Sequence, residues 1–182
     1  MPEDIVIGAG VYGVLVAWAL ARRGRRVRVL EARNIASGAS GGPGRRGVRA
    51  NGRDLRELAL MTQAPKVWSA LDEDLGAHHF YEQTGHLMLL ERKQDLASAY
   101  ARVQVQQSQG IDCRLLAAQD CSRIQPGLTE NVSAAIYCKN DGVCDHDGFT
   151  RAVARRAEES GVIIEENVPV ARIEVDGQKV TS

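Results

Sequence analysis

The N-terminal hydrophobic pattern changes period twice. Residues 4–8 form a short run of β-branched apolar side chains that ends at Gly8, which is typical of a buried parallel strand. Over residues 11–23 the apolar and small side chains recur at helical spacing, and Gly24 provides a helix stop. Residues 26–31 then alternate between apolar and charged side chains. This order predicts one βαβ unit with a right-handed crossover.

The middle of the chain mixes helical and alternating patterns. Residues 32–51 are rich in Gly, Ser and Arg and predict a long loop, which is usually functional or disordered when it has no structure of its own. The elements predicted after it are a helix over 55–75 that Pro65 breaks or kinks, one or two strands over 81–90 around Gly85, a surface helix over 94–109, and a strand over 132–137.

The C-terminal pattern predicts a helix followed by strands. Asp147 is a plausible N-cap for a helix over residues 147–160, with Gly161 after its end. Residues 162–180 alternate like a β-meander with a turn at Asp176-Gly177. Taken with the N-terminal unit, these patterns predict an α/β fold. A Rossmann-like nucleotide-binding domain would comprise residues 1–52 and 141–182, interrupted by part of an α+β domain over residues 53–140.

A glycine motif lies at the first strand-to-helix turn. Residues 8–13 match G-x-G-x-x-G through Gly8, Gly10 and Gly13, directly after a predicted strand. These glycines permit a tight turn, a close backbone approach to a pyrophosphate, and close helix–strand packing. Glu31 ends the second strand, where an acidic side chain binds ribose hydroxyls and disfavours NADP. A glycine turn in an unrelated α/β fold is the alternative.

The fingerprint alone leaves NAD and FAD both open. The loop that follows it, residues 36–49, consists of small residues and three arginines, Arg45, Arg46 and Arg49. Small residues suit close backbone approach to a large planar or anionic ligand, and guanidinium groups can neutralise a diphosphate or orient a carboxylate. A solvated basic loop would have the same composition.

Composition narrows the possible partners. The formal net charge is zero and aromatic residues make up 4% of the chain, which argues against nucleic acid and anionic membranes. No secretory signal or apolar segment long enough to span a bilayer is visible, so we expect a cytoplasmic protein with reduced cysteines. The cysteines and histidines fit no common zinc spacing, so no metal is predicted.

Several segments resemble one enzyme family. Residues 4–10, Val29-Leu30-Glu31 and the small-residue loop at 38–42 are similar to the D-amino-acid oxidase/sarcosine oxidase/glycine oxidase superfamily of FAD-dependent enzymes. The similarity continues at 124–128, 141–145 and 168–173. It implies FAD as the cofactor, with these contacts: Gly8, Gly10, Val11, Tyr12, Gly13, Glu31, Ala32, Arg33, Ser37, Ala39, Ser40, Gly41, Arg45, Arg46, Gly47 and Val48, and the backbone of Val170 against the adenine.

The resemblance also implies a missing portion. Family members are about twice as long, and their second half completes the substrate domain and usually supplies the arginine that grips the substrate carboxylate. A βαβ unit with few further strands would also leave a parallel sheet partly uncovered. We therefore expect a second polypeptide to complete both domains of a split or processed flavoenzyme.

The resemblance implies oxidation of a C–N bond. The substrate would be a small amino acid or secondary amine that gives up a hydride from its α-carbon to the flavin, and water would hydrolyse the imine product. No catalytic residue can be named within this chain. Two alternatives remain: a non-catalytic nucleotide-binding or regulatory subunit of an oxidoreductase complex, and a fragment of an NAD-linked dehydrogenase.

Overall fold

The computed structural model describes residues 3–38, 44–76, 80–177 and 179–180. The chain divides into two compact units, the first formed by Met1–Arg45 with Asp145–Ser182 and the second by Arg46–Cys144. Its strands are β1 (Glu3–Ile7), β2 (Arg26–Leu30), β3 (Arg45–Val48), β4 (Tyr81–Glu82), β5 (His86–Leu90), β6 (Cys113–Ala117), β7 (Ala134–Cys138), β8 (Gly142–Asp145), β9 (Ile163–Glu165), β10 (Val175–Asp176) and β11 (Lys179–Val180). Its helices are α1 (Val11–Ala21), α2 (Leu58–Met61), α3 (Ala64–Asp74), α4 (Leu96–Ser108), α5 (Ala118–Ile124) and α6 (His146–Glu159).

The first unit is built on a parallel sheet with the strand order β1-β2-β9. Val6 pairs with Val29, and Arg28 pairs with Ile163, so the predicted βαβ unit is confirmed. Helix α1 contacts β1 and β2, whereas α6 contacts α1 and β9. A strand from residues 163–165 therefore joins the N-terminal pair to form the sheet.

The two faces of this sheet differ in burial. Val27 and Val29 are buried on one face, and the small side chains of Ala17 on α1 and Ala154 on α6 are also buried. On the opposite face Ile5, Ile7 and Ile163 are each about half exposed. Arg28 and Glu165 form an ion pair of 2.9 Å on that same face. Parallel sheets usually have both faces covered, so the exposed isoleucines are notable.

The second unit holds two further three-stranded sheets. In the antiparallel sheet β5-β7-β6, the alternation of side chains sends Ile136 to a cluster with Val103 of α4, and Ala135 to a cluster with Cys121 of α5. The other sheet has the order β3-β8-β4. The segment over residues 32–51, predicted as a loop, therefore contains a strand, β3. Its partner in the sheet, β8, lies far away in the sequence.

The N-cap prediction for the last helix was wrong by two residues. Asp145, not Asp147, is the N-cap of α6, and its carboxylate accepts from the Gly148 N–H at 3.1 Å. Asp147 lies in the first turn, where its carboxylate accepts from Arg151 at 3.0 Å. Either aspartate could cap a helix that begins in this segment. Because α6 begins directly after β8 ends at Asp145, that residue takes the N-cap position.

The meander prediction was only partly right. Residues 163–165 form β9 of the parallel sheet, and residues 168–174, all of them described, form no strand. Only β10 and β11 pair as a hairpin, and Gly177 has the positive φ of +60° expected at the predicted turn. Alternation indicates extended backbone but does not identify the pairing partner.

The structure also adds elements in the middle of the chain. The predicted helix over 55–75 is divided at Thr62 and Gln63, and Pro65 lies in the first turn of α3, where its missing N–H costs no hydrogen bond. The strands around Gly85 and the helix at 94–109 are confirmed as β4, β5 and α4. The strand expected over 132–137 is β7. The pattern gave no prediction for β6 and α5.

Candidate functional site

The turn between β1 and α1 requires glycine at two positions, Gly8 and Gly13. Gly8 has a φ of +98°, and its N–H donates to the Leu30 carbonyl at 2.8 Å. A Cβ on Gly13 would lie 1.9 Å from the Gly8 carbonyl oxygen, so no side chain fits there. A Cβ on Gly10, whose φ is −75°, would have no described atom within 4 Å. Among the residues that the structure describes, none fills the space beside Gly10.

The N-terminus of α1 carries N–H groups that donate to no acceptor among the described residues. The first N–H groups of a helix have no carbonyl acceptor within it, and Gly10 provides no capping side chain. No acidic residue lies in the first turn, so the partial positive charge of the helix end is not neutralised there. Val11 is partly buried, whereas the Tyr12 side chain is 84% exposed. This end of α1 has the properties of an anion site.

Glu31 ties the glycine turn to the end of β2. Its Oε2 accepts from the Ala9 N–H at 2.7 Å, and its Oε1 accepts from the Arg33 N–H at 2.9 Å. An ionised carboxylate has about four acceptor positions, so two are left for the hydroxyls of a ribose. Ala32 and Arg33 are exposed beside it. The acidic residue predicted from the spacing thus lies directly at the turn.

A segment from the far end of the chain borders Glu31. The Val168 N–H donates to the Glu31 carbonyl at 2.8 Å, and the Asn167 N–H donates to the Arg33 carbonyl at 2.9 Å. Asn167 has a φ of +60°, which turns the backbone after β9. Val170 is partly buried and follows this contact by two residues. The segment that leads to Val170 therefore runs beside Glu31.

The predicted loop contacts are divided between the two units. The Ser37 hydroxyl donates to the Asn34 carbonyl at 2.7 Å in a local turn. Arg45, Arg46 and Gly47 are exposed on β3, and Val48 is partly buried at its end. The predicted contacts Ala39, Ser40 and Gly41 lie outside the described residues.

The sequence prediction missed a polar cluster in the second unit. Asp141, 5% exposed, hydrogen-bonds to the backbone of Ala50 and Asn51, and its charge acts on two nearby rings. Burial raises the pKa of Tyr81, and the Asp141 charge raises it further. Burial lowers the pKa of His86. The Asp141 charge raises this pKa, and the Arg49 charge lowers it further. The sequence signal for this cluster is the Asp141-Gly142 pair, which belongs to one of the segments that carry the family resemblance.

The described residues contain neither a candidate metal cluster nor a helix that could span a membrane. No group of three or more His, Cys, Asp or Glu side chains is gathered in a way that could hold a metal ion. His78 and His79 lie outside the residues described. No described helix is both long and apolar enough to cross a membrane.

The residues at the glycine turn fit the diphosphate and ribose of a dinucleotide. The space beside Gly10 would admit a pyrophosphate, the first amides of α1 would bind it, and the Glu31 carboxylate retains acceptors for a ribose. These features suit the ADP half of FAD, and the site residues expected from the sequence stay a prediction.

Comparisons with known proteins agree with this geometry. The family model for DAO, FAD dependent oxidoreductase, matches residues 5–182. Sarcosine oxidase subunit beta from Arthrobacter sp is 28% identical over 187 residues, which cover 98% of this chain and 46% of that protein.

Solved structures show the same relationship. Glycine oxidase from Bacillus cereus has a TM-score of 0.80 and 30% identity over 100% of this chain and 50% of its own. L-proline dehydrogenase from P. horikoshii has a TM-score of 0.85 and 29% identity over 99% of this chain and 48% of its own. The chain thus spans about half the length of these relatives, and its mixed α/β fold matches the corresponding part of each. The expected fold class is confirmed, and the chain belongs to the DAO family of FAD-dependent oxidoreductases.

Proposed function

We propose that this chain is the FAD-binding part of a flavoenzyme that oxidises the C–N bond of an amino acid or secondary amine. The observation that supports it most directly is the open space at Gly10, framed by the amides of α1 and by the Glu31 carboxylate. The family is FAD-dependent. Glycine, L-proline and sarcosine, the compounds in the relatives' names, all have an amine on the carbon beside a carboxylate.

Each part of the chain would have its own role toward FAD. The amides at the start of α1 would bind the diphosphate, and Glu31 would accept hydrogen bonds from the ribose hydroxyls. The Val170 backbone would contact the adenine. When bound, the flavin supplies the acceptor for the hydride that leaves the substrate α-carbon, and water hydrolyses the resulting imine. The loop residues proposed to lie near the diphosphate and flavin are Ser37, Ala39, Ser40, Gly41, Arg45, Arg46, Gly47 and Val48.

We also propose that a further polypeptide portion completes both domains. Its support is twofold: the chain spans about half the length of its relatives, and one face of the parallel sheet leaves Ile5, Ile7 and Ile163 half exposed. Apolar side chains on a sheet face are stabilised when another layer removes them from water. The intact mass and composition of the protein purified from its native source test this, since a species without any further portion would contradict it.

The substitution Gly10→Ala tests the FAD site. Its backbone angles suit alanine and the added methyl group touches no described atom, so the melting temperature should stay within about 2 °C of wild type. The methyl group would occupy the space proposed for the pyrophosphate, so FAD binding should be lost. FAD affinity is measured by quenching of flavin fluorescence. A variant that binds FAD like wild type, or a wild-type chain that binds NAD and no flavin, would overturn the proposal.

A further inference from the structure

Asp141 joins two distant parts of the second unit. It lies in the turn between β7 and β8, and its side chain reaches the segment that follows β3. Its Oδ1 accepts from the Ala50 N–H at 2.7 Å, and its Oδ2 accepts from the Asn51 N–H at 3.0 Å. Both oxygens of one buried carboxylate are therefore used on two consecutive backbone amides. Hydrogen bonds to an ionised acceptor are among the stronger ones in proteins.

Asn51 fixes the same segment from its other side. Its side chain is fully buried, and its Nδ2 donates to the Ile136 carbonyl on β7 at 2.9 Å. The Asn51 carbonyl accepts from Arg49 Nη1 at 2.5 Å. The position of the Arg49 guanidinium is thereby linked to the same backbone that Asp141 holds. We refer to Asp141 and Asn51 together as the clamp.

The turn that carries Asp141 is itself held firmly. A Cβ on Gly142 would lie 2.1 Å from the Glu82 carbonyl oxygen, so only glycine allows β8 to approach β4 this closely. The Asp141 carbonyl accepts from the Gly85 N–H at 2.7 Å. Gly85 has a φ of +74°, which an L side chain rarely adopts. The carboxylate therefore projects from a turn that is tied to β4 and to Gly85.

We propose that Asp141 is a positioning residue for the flavin, acting through the Ala50 and Asn51 backbone on Arg49 and on β3. The inference rests on the proposed function, because it assumes that Arg45, Arg46, Gly47 and Val48 lie near the cofactor. Ala50 is two residues from the end of β3, so a shift of its amide moves the C-terminal end of that strand. A small displacement in a segment that orients a reacting group has large effects on binding and rate.

The test compares Asp141→Ala, Asp141→Asn and two controls in the full chain. Asn keeps one acceptor oxygen and presents an NH₂ group to the other amide, so its effect should lie between those of wild type and Ala. Val103→Ala removes buried apolar volume from the same core and lowers the melting temperature without breaking the clamp. Asp95→Asn removes only an exposed ion pair with Arg92.

Three measurements separate positioning from general stability: amide hydrogen exchange at Ala50 and Asn51, FAD affinity, and the visible circular dichroism of bound flavin. Asp141→Ala should speed exchange at both amides, weaken FAD binding about tenfold or more, and alter the flavin dichroism. Val103→Ala should lower the melting temperature yet leave the flavin dichroism unchanged.

Two results would count against the proposal, and they can be told apart. If Asp141→Ala and Asp141→Asn bind FAD with wild-type affinity and dichroism, the clamp has a structural role only and the proposed function is unaffected. If the wild-type chain, assembled with the portion that completes it, binds no FAD, the proposed function fails and this inference fails with it.

Discussion

Replacing Glu31 with glutamine should weaken both the fold of the first unit and its hold on FAD. The carboxylate accepts from the Ala9 N–H at 2.7 Å and from the Arg33 N–H at 2.9 Å. Gln has a single acceptor oxygen, so one amide keeps a neutral acceptor and the other faces an NH₂ group. Bonds to charged acceptors contribute about 1.5–3 kcal/mol each, so we expect the free energy of unfolding to fall by about 2 kcal/mol.

The effect on the cofactor can be estimated in the same way. The ribose hydroxyls would lose a charged acceptor, which costs about 2 kcal/mol of binding energy. Since each 1.4 kcal/mol is a tenfold change, the Kd for FAD should rise about thirtyfold. The loss of unfolding free energy corresponds to a fall in melting temperature of about 4–8 °C for a chain of this size. Thermal denaturation and flavin fluorescence titration measure the two effects separately.

The matched control is Glu165→Gln. Glu165 lies on β9 in the same unit, and its Oε2 accepts from Arg28 at 2.9 Å in a pair that is more than one third exposed. Exposed ion pairs contribute about 0–1 kcal/mol, so the Kd for FAD should stay within about threefold of wild type. If Glu31→Gln and Glu165→Gln behave alike in both assays, the role assigned to the Glu31 carboxylate is wrong.

Two other changes give further tests. Gly13→Ala sets a methyl group 1.9 Å from the Gly8 carbonyl oxygen, so the turn must distort. The melting temperature should fall by several degrees in this variant, unlike in Gly10→Ala. Equal melting temperatures for the two variants would refute this difference in packing. Burial lowers the pKa of His86 in the folded chain, so the fold favours the neutral ring. This contribution to stability is complete above the unfolded pKa of about 6.5. It is lost as the pH falls below that value, because the unfolded chain takes up the proton first. The melting temperature should therefore fall more between about pH 7.5 and about pH 5 in wild type than in His86→Gln, and parallel pH curves would contradict this.

The local parts of the site could be predicted from the sequence because neighbouring residues determine them. The strand, the glycine turn and helix α1 are consecutive, and Glu31 follows at the distance that a βαβ unit imposes. Each glycine also has a local reason, such as the positive φ of Gly8. The structure adds that the Glu31 carboxylate bonds to the turn itself, since Ala9 is its hydrogen-bond donor. That detail depends on side-chain geometry, which spacing does not specify.

The parts that could not be predicted depend on distant residues. The sequence pattern predicts β9 as the start of a meander because its alternation fits any strand, whereas its partner is β2, more than one hundred residues earlier. The clamp of Asp141 and Asn51 was missed for the same reason, since its two members come together only when β7 and β8 fold beside the segment after β3. The cap of α6 is Asp145 instead of the predicted Asp147, although both residues are good N-cap types.

The neighbouring positions of β3 and β8 have a consequence for the order of folding. They lie beside each other in one sheet and stand at the two ends of the second unit, whose residues are continuous in sequence. If that unit folds first, it brings residues 45 and 145 together before β9 meets β2. The loop that must close for this pairing then shortens roughly fourfold, which lowers its entropic cost by about 1.2 kcal/mol. The second unit would thus shorten the effective chain separation between β2 and β9 before these two strands pair.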